Sequence, residues 1–193
     1  MNQLTGLFFG SFNPIHVGHL MIASQMRDLA DLREVWFVIS PQNPFKKKSS
    51  LLDEKLRYYM VNLAVEDDYN LRASNIEFSL PQPSYTVNTI AHLTEKYPER
   101  EWALIMGSDN LNSFHKWKNY EALLKQCQLL VYPRPEYPVS KEWLGHNKVR
   151  IFDVPHMKLS ASMIRDRISK GQSIRYLVTE PVRKYIDEMN LYR

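Results

Sequence analysis

Two histidines three positions apart, His16 and His19, follow a glycine turn at Gly10, and an arginine, Arg165, closes a distant hydroxyl-rich segment, Leu159-Ser160-Ala161-Ser162-Met163-Ile164-Arg165. Imidazoles at this spacing can face one side of a helix's first turn. At a helix N-terminus, unsatisfied N–H groups and the helix dipole favour an anion. Histidines there can donate hydrogen bonds to phosphoryl oxygens as charge grows in a transition state. In the second segment, Ser160 or Ser162 reads as a helix cap, and Arg165 adds a guanidinium able to grip phosphate bidentately. Two anion sites in one chain point to chemistry on a polyphosphate. Two polar histidines capping a surface helix is the plainer alternative for the first site. No third ligand is placed for a metal, so His16 and His19 do not read as a zinc pair.

The surrounding elements have to bring these segments together. Leu7-Phe8-Phe9 is an apolar run that reads as a buried strand. It breaks at Gly10, which lets backbone approach a ligand closely, and an amphipathic run follows from Leu20 to Leu32. Glu34 to Ser40 is β-branched and aromatic, a second buried strand. Strand, helix, strand predicts a parallel pair with a right-handed crossover. Further strands are expected at Glu101–Gly107, Gln128–Tyr132 and Val149–Val154, with a short strand or pair of strands across Leu71–Leu80. Helices are expected over Asp53–Val65, capped by Asp53, over Ser84–Tyr97, capped by Ser84 or Thr86, and over Tyr120–Lys125. A further helix runs to Lys170 and is closed by Gly171. The alternation predicts an α/β fold, a doubly wound, mostly parallel sheet with helices on both faces, built as a single domain over 1–193. Such sheets bind ligands beyond the carboxyl ends of their strands. That is where Gly107-Ser108-Asp109 falls. The Asp109 carboxylate suits ribose hydroxyls there, or simply caps the next helix. The lysine run Lys46-Lys47-Lys48 follows another strand end.

Composition narrows the setting. The chain has 193 residues, 44% hydrophobic and 24% charged, values that suit one soluble core. It holds no run of eighteen apolar residues, so no membrane-spanning helix is expected, and the N-terminus enters the first strand with no room for a signal peptide. One cysteine, Cys127, excludes an intrachain disulfide and points to a reduced, cytoplasmic setting. The net charge of +4 fits polyphosphate ligands and does not exclude nucleic acid.

Gly10 to His19, GSFNPIHVGH, resembles the GxFxPxHxGH motif of the HxGH nucleotidyltransferases, and most of all the bacterial nicotinate-mononucleotide adenylyltransferases. The likeness extends through Ser84-Tyr85-Thr86, Trp117, Arg134-Pro135 and the Leu159–Arg165 segment to Pro181–Ile186. It implies a Rossmann-like nucleotidyltransferase fold and adenylyl transfer from ATP to nicotinate mononucleotide, giving nicotinate adenine dinucleotide and pyrophosphate, with Mg2+ arriving with ATP. By the same resemblance His16, His19 and Arg165 are catalytic. Gly10, Ser11, Phe12, Gly18, Gly107, Asp109, Ser160 and Ser162 bind ATP. Lys46, Ser84, Tyr85, Thr86, Trp117 and Arg134 bind the mononucleotide, Trp117 by stacking on the pyridine ring. Arg57 falls where the family commonly has an arginine; an exposed helix arginine reads as well. Phe45 and Ala161 depart from the family pattern, standing for a histidine and a serine. The implied partners are these small molecules, with no nucleic acid and no membrane; a homo-oligomer stays open. Transfer to nicotinamide mononucleotide or phosphopantetheine is the alternative within the chemistry. A non-catalytic nucleotide- or RNA-binding protein is the alternative outside it.

Overall fold

In the computed structural model, which describes residues 3–41, 51–155 and 157–193, strand β1 (Leu4–Gly10) lies between β2 (Glu34–Ile39) and β4 (Glu101–Gly107). With β3 (Leu71–Ser74), β5 (Cys127–Tyr132) and β6 (Val149–Ile151) they form one sheet in the order β3-β2-β1-β4-β5-β6, every pairing parallel. The order reverses between β1 and β4, and that switch point opens a crevice at the strands' carboxyl ends.

Successive strand residues enter opposite cores. Phe8, Phe37, Ile105 and Leu130 pack on one face, while Leu7, Trp36, Leu104 and Leu129 pack on the other. Both faces are covered, which is why these strands read as continuous apolar runs instead of alternating ones. The first core is closed by α1 (Val17–Leu29), α2 (Glu54–Val65), α6 (Ala161–Ser169) and α7 (Glu180–Glu188); α3 (Thr86–Lys96) and α5 (Tyr120–Gln126) close the second. Four residues, Ser108–Leu111, make the short α4 directly after β4.

Helix α1 starts at Val17, so the extended His16 is its N-cap and His19 lies in its first turn, as the histidine spacing implied. Other boundaries differ from the sequence expectation. Only Leu71–Ser74 pairs as a strand; Ile76–Ser79 is a 3-10 turn that carries Glu77 inward. Helix α3 is capped by Tyr85, with no side-chain cap bond from Ser84 or Thr86. The expected caps do appear elsewhere: Asp53 accepts from the Lys55 N–H at 2.8 Å and Ser160 from the Met163 N–H at 3.2 Å. Cys127 is buried, and burial pushes its thiol up to about 12, which keeps it unreactive. Among the described residues no helix is long and apolar enough to cross a membrane.

Candidate functional site

Beyond the carboxyl end of β1 the chain turns sharply. Phe12 takes a positive φ of 44° and drops its ring into the core, edge-on to Phe8, Phe37 and His19. A Cβ on Gly10 would lie 2.7 Å from the Phe12 ring, so Gly10 is required by the packing of Phe12. With that ring buried, only the backbone of Phe12 can meet a ligand. The chain then delivers His16 and His19 as a stacked pair, ring centroids 3.6 Å apart. The His16 N–H donates to His19 Nδ1 at 3.3 Å, which puts the proton of the neutral His19 ring on Nε2. His16 is 5% exposed, and burial lowers its pKa to about 4, with the Arg134 cation adding to the effect. At neutral pH it is therefore an uncharged imidazole. A Cβ on Gly18 would sit 3.1 Å from His16 Nδ1, so a larger residue there would displace the ring.

The Arg165 guanidinium closes on this turn from the other end of the chain. Its Nη1 donates to the Asn13 carbonyl at 2.8 Å and its Nη2 to Ser162 Oγ at 3.3 Å. Ser160 and Ser162 are both exposed at the start of α6. Asn13 is a junction that the residue pattern did not single out. Its Oδ1 accepts from the Tyr192 hydroxyl at 2.9 Å and from the Leu52 N–H at 3.4 Å. No local signal in the sequence marks Tyr192, which reaches the turn only through the tertiary fold.

Arg57 is fully buried, so the exposed-arginine reading is corrected. It donates to the carbonyls of Ser11 at 2.6 Å, Leu52 at 2.8 Å, Ser40 at 3.0 Å and Pro41 at 3.2 Å. These carbonyls belong to the chain after β1, the chain after β2 and the approach to α2. One side chain thus clamps the two loops beside the crevice.

On the β4 side, Arg134 Nε pairs with Asp109 Oδ1 at 3.3 Å, and its cation lies 5.8 Å from the Tyr132 ring centroid. Asp109 is not the cap of α4; that position is Gly107. Trp117 is half-buried with its ring 5.1 Å from that of Phe114. The neighbouring Lys118 ammonium lies 4.2 Å from the Tyr85 ring centroid, which brings the Trp117 segment beside Ser84-Tyr85-Thr86. Two further residues, Glu77 and Thr89, are buried and hydrogen-bonded beneath this segment at 2.7 Å; isolated polar residues in the sequence gave no hint of the pairing. Lys46, with Phe45, Lys47 and Lys48, lies outside the described residues. Among the described residues no group of three or more His, Cys, Asp or Glu is disposed to hold a metal ion.

The chain as a whole has known relatives. The cytidylyltransferase-like family model matches residues 7–167. A probable nicotinate-nucleotide adenylyltransferase of Flavobacterium psychrophilum is 51% identical over 189 residues, covering 97% of this chain and 98% of that protein. One from Bacteroides fragilis is 44% identical, covering 94% and 90%. In structure, the chain superposes on a Plasmodium falciparum nicotinic acid mononucleotide adenylyltransferase, solved with NaAD, at a TM-score of 0.83 and 20% identity, over 99% of this chain and 98% of that one. The family model over residues 7–167 and about half identity along nearly the whole chain agree: the chain belongs to the nicotinate-nucleotide adenylyltransferases of the cytidylyltransferase-like family.

Proposed function

We propose that the protein transfers the adenylyl group of ATP to nicotinate mononucleotide. The 5′-phosphate of the mononucleotide attacks the α-phosphorus in line. A new P–O bond forms, the bond to the β-phosphate bridge breaks, and pyrophosphate leaves with nicotinate adenine dinucleotide as the other product. The attacking phosphate is already ionised at neutral pH, so no general base is assigned. Catalysis rests on positioning and on charge stabilisation. The observation that carries this reading is the joining of the His16–His19 turn to the Arg165 segment through the Asn13 carbonyl. It supports reading the two segments as one phosphate site.

In this reading the Nε2–H of His19 and the neutral imidazole of His16 donate to the transferring and leaving phosphates. Gly10, Ser11, Phe12 and Gly18 offer backbone to ATP, and Gly107 and Asp109 flank its adenosine. Ser160 and Ser162, with Arg165, hold the β- and γ-phosphates. The entry to α3 at Ser84–Thr86 receives the nicotinate carboxylate, as a helix N-terminus suits an anion. Trp117 stacks on the pyridine ring, and Arg134 and Lys46 meet the mononucleotide. The Lys118–Tyr85 contact supports this grouping by tying the two acceptor segments together. Asp109 is ion-paired to Arg134, and among the described residues no cluster of three or more His, Cys, Asp or Glu is disposed around a metal ion. Mg2+ would arrive with ATP and neutralise charge on its phosphates.

Pyrophosphate release from ATP with Mg2+ tests the reading, with nicotinate mononucleotide, nicotinamide mononucleotide and phosphopantetheine compared as acceptors. Turnover is expected with the nicotinate acceptor in clear preference. Preference for another acceptor would remove the assignment of Ser84–Thr86 and Trp117 while keeping the phosphate chemistry. Absence of turnover with all three would remove the reaction.

A further inference from the structure

Glu77 is 1% exposed, and its neighbours are hydroxyls. Its Oε1 accepts from Thr89 Oγ1 at 2.7 Å. Burial pushes the carboxyl above its usual range, with the Thr89 hydroxyl opposing the shift, while Oε2 has no hydrogen-bond partner among the described residues. A buried carboxyl is costly unless its hydrogen bonds are made, and an apolar side chain would fill the same space at less cost. What this carboxyl holds is therefore informative. Thr89 is fully buried one turn into α3, and its N–H donates to the Tyr85 carbonyl at 3.3 Å. The carboxyl thus ties the first turn of α3 to the 3-10 turn Ile76–Ser79 that follows β3.

We propose that Glu77 is a positioning residue for the acceptor substrate: acting through the Thr89 hydroxyl, it fixes the first turn of α3 relative to the 3-10 turn that follows β3, and so sets acceptor affinity without touching the reacting atoms. The proposal rests on the reading that Ser84–Thr86 receives the nicotinate end of the mononucleotide. A turn that must present N–H groups to one carboxylate has to be held to within a fraction of an ångström, and supporting hydrogen bonds from a rigid neighbour do this.

The test measures nicotinate mononucleotide binding by calorimetry, and KM for both substrates by pyrophosphate release, in wild type, Glu77→Ala and Glu77→Gln. Glu77→Ala is expected to weaken acceptor binding by at least ~tenfold, the scale of a lost hydrogen bond to a charged group, with KM for ATP within about twofold. Glu77→Gln is expected to restore most of the acceptor affinity, because its amide oxygen can still accept the Thr89 hydroxyl. Unchanged acceptor affinity in Glu77→Ala, or equal losses for ATP and acceptor, would overturn the proposal. Should Glu77→Ala fail to fold, Thr89→Val removes the same link, and an unchanged acceptor KM there would overturn it equally. A wild-type protein that turns over ATP but ignores nicotinate mononucleotide would overturn the acceptor-site reading first, an outcome visible before any variant is compared.

Discussion

Arg165 Nη1 donates to the backbone carbonyl of Asn13 at 2.8 Å, across 152 positions of sequence. The second phosphate motif is therefore part of the support for the first. The turn that ends in His16 is held from three directions: by Arg165, by the Tyr192 hydroxyl on the Asn13 side chain, and by Arg57 on the Ser11 carbonyl. Two of these three are guanidiniums, so the turn also lies in a positive field before any phosphate arrives.

The geometry at Arg165 needs a planar fork, with Nη1 on Asn13 and Nη2 on Ser162. A lysine offers one compact ammonium and cannot reach both acceptors. Arg165→Lys is expected to lower kcat/KM for ATP about tenfold or more, since a bidentate, charge-assisted contact is lost. Steady-state kinetics at fixed acceptor concentration checks this, and kinetics indistinguishable from wild type would remove Arg165 from the machinery.

His19 has its proton directed to Nε2 by the contact from the His16 N–H, and its ring is stacked on His16 and edge-on to Phe12. The donor is thus oriented in advance, which is the condition for electrostatic stabilisation of a growing charge. His19→Ala is expected to reduce turnover at least ~hundredfold, in line with removal of a preorganised donor, while circular dichroism stays that of the folded protein. Turnover near the wild-type level would dismiss the role.

Burial holds His16 at about 4 in the native state, below its ordinary 6.5. Between those values the unfolded chain binds a proton at this site that the native protein does not. Its contribution to stability is complete above 6.5 and is lost progressively as pH falls toward 4, by up to about 3 kcal/mol. Glu77 acts in the opposite sense: its carboxyl is raised by burial, so its contribution falls as pH rises past the ordinary carboxylate range. The difference between wild type and His16→Gln isolates the histidine. Urea unfolding at several pH values is expected to show a wild-type midpoint that climbs from pH 4 to 6.5 more steeply than the variant's. Parallel pH profiles for the two proteins would mean that His16 titrates normally in the fold.

Much of this was legible in the sequence because it is local. The apolar runs at Leu7–Phe9, Glu34–Ser40 and Glu101–Gly107 are strands buried on both faces, and the Gly10–His19 motif carries its own turn and helix start. What was not legible depends on distant partners. Leu71–Leu80 stops pairing after Ser74 because Glu77 is drawn under α3 to Thr89, a pairing that spacing alone does not reveal. Tyr192 joins the site from the last residues of the chain through one hydroxyl.

Arg57 shows the same contrast and gives the firmest stability prediction. On sequence it is one arginine in an amphipathic helix; in the fold it is buried and spends its guanidinium on four carbonyls, those of Ser11, Ser40, Pro41 and Leu52. Burial lowers its pKa from the usual arginine value, but a guanidinium starts so high that it stays charged at any working pH. Arg57→Met keeps a long side chain in the space and removes every one of these donors, so carbonyls in the loops after β1 and β2 lose their partners at once. The cost is expected to be about 3 kcal/mol or more, as buried acceptors left unmatched each carry a desolvation penalty. Arg57→Lys should fall between, since an ammonium can serve some of these carbonyls but not all four from one position. Chemical unfolding of the two variants measures the stabilities, and pyrophosphate release measures activity. Because Ser11 and Ser40 sit beside the reacting groups in the proposed site, activity is expected to fall in Arg57→Met even at temperatures where the variant is folded. A stability loss under ~1 kcal/mol, the range of an ordinary surface change or a single exchanged hydrogen bond, would show that the loops hold their course without this clamp.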